Sequence, residues 1–142
     1  MATVAEVQRK VHNILTSEIG SVTVDKDGDF RFPYESTVVN ISVEDFGNNE
    51  TLIKLDGLIA MDSKSGASVY EWCNQINAAL AFGAVVHMES GKSNITIIKH
   101  AILGDFLDPA ELFTALRGLI LLADDLDDKF ISKFGGKRYK DL

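Results

Sequence analysis

Asp25-Lys26-Asp27-Gly28-Asp29 sets three carboxylates at alternate positions, a spacing from which a calcium loop can aim oxygens at one cation. An EF-hand loop starting at Asp25 needs glycine in its sixth place and glutamate in its twelfth, and those places hold Phe30 and Ser36. A turn suits the segment better. Val22/Val24 and Phe30/Phe32 alternate on either side, and setting Val24 opposite Phe30 leaves Lys26-Asp27-Gly28 as a three-residue loop with glycine in the last, left-handed place. Gly91-Lys92-Ser93 ends like a phosphate-binding loop, yet the first glycine of that motif would fall at Val86, and a strand pattern follows where a helix must begin. It too is expected to be a turn. His12, His87 and His100 lie on separate elements without the close spacing of zinc motifs, and Cys73 adds a single thiol, so no metal or cofactor is expected. Asp124-Asp125 and Asp127-Asp128 surround Leu126 on a helix whose other side is apolar, which predicts a solvated acidic edge with ordinary carboxyl groups. With no nucleophile elbow and no dinucleotide fingerprint, catalysis is not expected.

The elements that carry these residues follow from periodicity and caps. Thr3-Val4-Ala5-Glu6 has the form of a capping box, and apolar residues at helical spacing from Val4 predict a helix to Ile19, before Gly20. The alternation around Gly28 gives the first hairpin. Val39, Ile41 and Val43 alternate next, Glu44 to Glu50 reads as a polar loop, and Thr51, Ile53 and Leu55 alternate back, with Leu58 to Met61 extending the strand beyond a bulge or close approach at Gly57. Ser68-Val69-Tyr70-Glu71 reads as a second capping box, opening a helix striped by Val69, Trp72, Cys73, Ile76, Ala79 and Leu80. On that stripe Cys73 is a core residue with a raised thiol pKa. A third hairpin sets Ala84, Val86 and Met88 against Ile97, Ile95 and Ser93 around a Ser90-Gly91 turn. Asp108-Pro109-Ala110-Glu111 is the sharpest helix start in the chain, and the helix runs to Gly135-Gly136. The predicted order is α-ββββ-α-ββ-α, an α+β fold with a twisted antiparallel sheet of about six strands and helices packed on it. Residues 1–136 form one domain in this reading, and the basic tail 137–142 is expected to fray.

Composition narrows the partners. At 46% hydrophobic and 25% charged, the chain is rich enough in apolar residues to fold around a core. A net charge of −7 opposes phosphate-backbone binding, so nucleic acid is set aside. The first residues lack the basic start and apolar stretch of a secretory signal, no window reaches the length of a membrane span, and one cysteine forms no internal disulfide. A cytoplasmic location without membrane insertion is expected.

Apolar residues exceed what one thin sheet under three helices needs. Phe113, Ile120 and Leu121 lie off the main stripe of the last helix, and Val38 and Leu52 point opposite to Val39 and Ile53. Either the other helices cover these residues within the chain, or another polypeptide does.

The chain resembles the type III secretion chaperone-like family, in particular its YbjN-like branch and the related actinobacterial TY-Chap domains. The resemblance rests on the order of four phrases: Val24-Asp25-Lys26-Asp27-Gly28-Asp29-Phe30-Arg31-Phe32, Cys73-Asn74-Gln75-Ile76-Asn77, Leu103 to Leu112, and Ala123-Asp124-Asp125-Leu126-Asp127 followed by Phe134-Gly135-Gly136. It implies a helix-flanked antiparallel sheet, pairing into a homodimer, and apolar grooves that hold extended segments of a client polypeptide. It carries no catalytic residues. The expected function is non-enzymatic binding of a client, with Val38, Phe46 and Leu52 as contacts and Phe113, Ile120 and Leu121 at the dimer interface. The alternatives are a scaffold or regulatory domain that joins its partner through the last helix without a peptide groove, and an enzyme whose site carries no familiar motif.

Overall fold

A computed structural model describes residues 2–142, in which three helices pack against one six-stranded antiparallel sheet. Helix α1 (Val4–Ile19) is capped by Thr3, whose hydroxyl accepts from the Glu6 amide. Strands β1 (Thr23–Val24), β2 (Phe30–Tyr34), β3 (Thr37–Gly47) and β4 (Glu50–Met61) follow as hairpins, and α2 (Ala67–Ala79) leads to β5 (Ala84–Ser90) and β6 (Ser93–Leu103). Helix α3 (Pro109–Phe134) begins at Asp108, which caps it by accepting from the Glu111 amide. The sheet order β1-β2-β3-β4-β6-β5 places β6 beside β4 and leaves β5 at the edge.

The turn at Gly28 is as the alternation predicts. Val24 pairs with Phe30, Gly28 has φ +84°, and the Asp25 carboxylate accepts from the Asp27 and Asp29 amides, so it is spent on the turn. The β3–β4 loop is shorter than its polar sequence suggests. Pairing continues through Glu44–Leu52 and Asp45–Thr51, and the turn is Asn48-Asn49, both in the left-handed region that two-residue hairpins require. The β5–β6 register also differs: Ser90 pairs with Ser93 and Val86 with Ile97, so the turn is Gly91-Lys92, with glycine in its first central place. This slip is by an even number of residues, so every side chain keeps its expected face. The second capping box does not form. Helix α2 starts one residue before Ser68, at a Gly66 cap with φ +122° and no side-chain cap bond.

One cluster joins Val7, Val11 and Leu15 of α1, Trp72 and Cys73 of α2, and Leu112, Leu119 and Phe130 of α3 to one face of the sheet. That face carries Phe30, Val39, Ile41, Ile53, Leu55 and Ile98. Gly57 permits the contact: a Cβ there would stand 3.1 Å from both Ala123 Cβ and Ile98 Cγ2. The bulge foreseen near Gly57 falls between Leu58 and Ala60. No helix of the described residues is long and apolar enough to cross a membrane.

Two sequence expectations change at the far end of α3. Asp127 is 0% exposed, so it belongs to a buried corner and not to a solvated edge. The Ser36 hydroxyl lies 2.7 Å from Asp124 Oδ1 and also reaches Asp127 Oδ2. Burial, reinforced by Asp128 and Asp124, pushes the Asp127 carboxyl up against the opposing pull of Ser36 and Arg138. The tail, expected to fray, is bonded into this corner. Arg138 reaches Asp128 at 2.7 Å and Asp127 at 3.9 Å, and Lys137 exchanges two backbone hydrogen bonds with Met61 where β4 has run past β3.

Candidate peptide-binding surface

All three helices pack on the face just described, and on the other face the side chains are half-buried or exposed apart from Leu58, which is 9% exposed. Strand register assigns the residues of this open face, because residues directly opposite on neighbouring strands share a side. One row across the strands is apolar: Leu58 lies opposite Ile97, and Ile97 opposite Val86, with Val38 beside Leu58 in the same hollow. Ile95 and Met88 pair one step further along, and Met88 is 45% exposed. The next row, toward the β3–β4 turn, is polar: Arg31, Asn40, Asp56 and Lys99 pair in turn from β2 to β6. Beyond it lie Ser42, Lys54 and Ala101, and then a second apolar pair, Leu52 against Leu103, the latter 52% exposed. The face is therefore two apolar bands separated by a charged belt. Successive rows are about 6.6 Å apart, so the bands stand about 20 Å from each other.

Between Arg31, Val38, Asn40, Asp56, Leu58 and Ile97 lies a hollow of about 280 Å³. Asp56 is half-buried at its rim, and burial pushes its carboxyl above the ordinary carboxylate range, with Lys54 and Lys99 drawing it back and Glu44 adding to the rise. Lys54 is directed to Glu44 at 3.6 Å, and no ion pair among the described residues includes Asp56.

The structure places the six sequence-selected residues unevenly. Val38 lies in the hollow. Leu52 is on the same face but in the other band, so the two are not brought together. Phe46 is 56% exposed near the tip of the β3–β4 hairpin. On α3, Ile120 is 8% exposed and Phe113 packs half-buried on the core, so their own chain covers both, while Leu121 is 50% exposed. Leu58, Val86, Ile95, Ile97, Met88 and Asp56 were not singled out from sequence. Their signal was present in the doublets Val38-Val39, Leu58-Ile59, Val85-Val86 and Ile97-Ile98, since neighbours on a strand point to opposite faces.

Two other places hold polar groups. His87 Nε2 lies 2.9 Å from Ser65 Oγ and Nδ1 lies 2.7 Å from Thr96 Oγ1, with Glu89 also bonded to Ser65. The Ser65 hydroxyl is shared between the Glu89 carboxylate and the His87 ring, and the ring tautomer sets which of Ser65 and His87 donates. A cleft of about 460 Å³ opens between β6 and α3, where Phe82 meets His100 edge-on at 4.7 Å and Asp108, Glu111 and Thr114 line the other wall. Asp108 is committed to capping α3.

A family model described as TY-Chap1, T3SS (YopN, CesT) and YbjN peptide-binding chaperone 1, matches residues 5–142, a span that contains the whole sheet and all three helices save the first residue of α1. No curated protein matches the chain.

Proposed function

The chain belongs to the TY-Chap1 family of T3SS and YbjN peptide-binding chaperones, and from that premise we propose that its uncovered sheet face holds an extended segment of a client polypeptide without catalysing a reaction on it. The observation that carries this reading is the apolar row of Val38, Leu58, Ile97 and Val86, which lies across four strands with no helix over it. Burying apolar area at about 25 cal/mol per Å² gives such a row a reason to bind. Strand β5 lies at the sheet edge, where the Asn77 side chain already takes up both the amide and the carbonyl of Val85. Leu52 and Leu103 extend the seat to a longer client. A cytoplasmic site of action accords with the single free, buried Cys73. The chain is proposed to work as a homodimer, and Leu121 is the member of the α3 trio that stands out of its own chain to meet a second copy.

Probing an array of extended peptides with the full chain tests the reading. Ile97→Asp is expected to abolish binding while leaving the fold cooperative, because the charge is placed on the open face. Binding unchanged by Ile97→Asp overturns the assignment of this face. Sedimentation tests the dimer: Leu121→Asp is expected to raise the monomer fraction, and a wild-type chain that is monomeric at all concentrations refutes it.

A further inference from the structure

Client chemistry follows from what borders the hollow, on the reading that the open face holds a client. Leu58, Ile97 and Val38 floor it with branched apolar groups, and about 280 Å³ accommodates one large aliphatic side chain with its neighbour. Its rim carries the Asp56 and Asp25 carboxylates against the single cation of Arg31. Asp25 is held in place by the two turn amides it accepts from, and Arg31 is exposed. Asp56 sits centrally in the belt, half-buried and without an ion pair among the described residues, although Lys99 is its cross-strand neighbour. Lys99 is exposed and draws the Asp56 carboxyl down from a distance without closing an ion pair. A half-buried carboxylate without a partner is costly, and that cost falls when a binding group supplies a donor as it excludes water.

We propose that this hollow selects client segments in which a branched apolar residue is adjacent to a lysine or arginine, the apolar side chain entering between Leu58 and Ile97 and the cation lying over Asp56. The chain's net charge of −7 favours the same class, since it draws cationic segments in and repels acidic ones before contact. Burial raises the Asp56 carboxyl, and a client cation is expected to lower it, so binding of the cationic class weakens as pH falls and Asp56 takes up a proton. The groups facing Asp56 are Asn40 and Glu44 of β3, Lys54 of its own strand, Lys99 of β6 and Arg31 of β2.

Three decapeptides, identical with isoleucines flanking a central lysine, norleucine or glutamate, separate this selection from binding as such. With the full chain at low ionic strength, the lysine peptide is expected to bind about fivefold tighter than the norleucine peptide, or about 1 kcal/mol, and the glutamate peptide least tightly. Asp56→Asn should bring the lysine peptide to within about twofold of norleucine, because the charge-assisted contact to lysine is lost and the cost of covering an unpaired carboxylate with norleucine is removed. Raising salt to about 0.5 M on the wild-type chain should shrink the same ratio without any substitution. Equal binding of lysine and norleucine peptides by the wild type overturns the selection and leaves the client-binding reading standing. Equal weakening of all three by Asp56→Asn overturns it too. No binding of any peptide overturns both.

Discussion

Ile97 and Ile98 are consecutive in β6 and identical in chemistry, so replacing each with alanine in turn sets one face of the sheet against the other. Ile98 is 0% exposed and packs under α3 beside Gly57 and Val85, where removing its outer carbons leaves a cavity. Such a truncation costs about 2–5 kcal/mol. At about 2–4 °C per kcal/mol for a domain near this size, a loss of about 3 kcal/mol lowers Tm by about 6–12 °C. Ile97 is half-buried with no helix over it. Its truncation exposes about two thirds or more of the area of three carbons at about 0.8 kcal/mol each, and leaves no closed cavity, so about 1.5–2 kcal/mol is expected, at the low end of the range for Ile98. The loss of β-branching is common to both and cancels in the comparison. Urea unfolding followed by circular dichroism, repeated over a range of protein concentrations, measures the difference. Equal costs at every concentration would mean that Ile97 is covered within its own chain, and would refute the open face. A cost at Ile97 that grows with concentration would instead place a second copy over it.

Asp127→Asn tests the buried corner: with its folded pKa raised, the ionised carboxylate weighs against folding as pH rises through that pKa, by about 1.4 kcal/mol per unit of rise. The stability of Asp127→Asn relative to wild type should therefore climb from acid toward neutral pH and then level off; a difference that is flat or falls with pH contradicts the burial argument. Arg138→Ala should cost about 1–3 kcal/mol by leaving Asp127 with one cation fewer, and less in an Asp127→Asn background, as read by denaturation of the four members of the cycle. Gly118→Ala sets a helix-propensity gain of about 1 kcal/mol against a Cβ placed 2.6 Å from Phe82 Cζ. It should be neutral to unfavourable in wild type and stabilising with Phe82→Ala, and additivity of the two substitutions would show that the ring does not pack there.

The helix starts at Thr3 and Asp108, the Gly28 turn and the α-ββββ-α-ββ-α order are local chemistry, and each is written in a few adjacent residues. A cap is a side chain three residues from an amide, and a left-handed glycine needs nothing from afar, so the sequence alone sufficed for the fold. The two hairpins misjudged from sequence failed on turn placement, and both kept their side chains on the expected faces because that depends on period alone. Which face lies open is different in kind. Val38-Val39 and Ile97-Ile98 announce a sheet with two apolar sides, but whether helices cover one or both depends on where α1, α2 and α3 pack, and that is a sum of contacts across the chain. Likewise α3 carries apolar residues beyond its main stripe, and only the packing of the sheet shows that Ile120 and Phe113 are covered while Leu121 stands out. Asp127 makes the same point from the polar side. Its sequence neighbours suggest a solvated acidic edge, yet the residues that bury it, Ser36 and Arg138, are separated from each other by most of the chain and meet only when the sheet and the last helix are assembled.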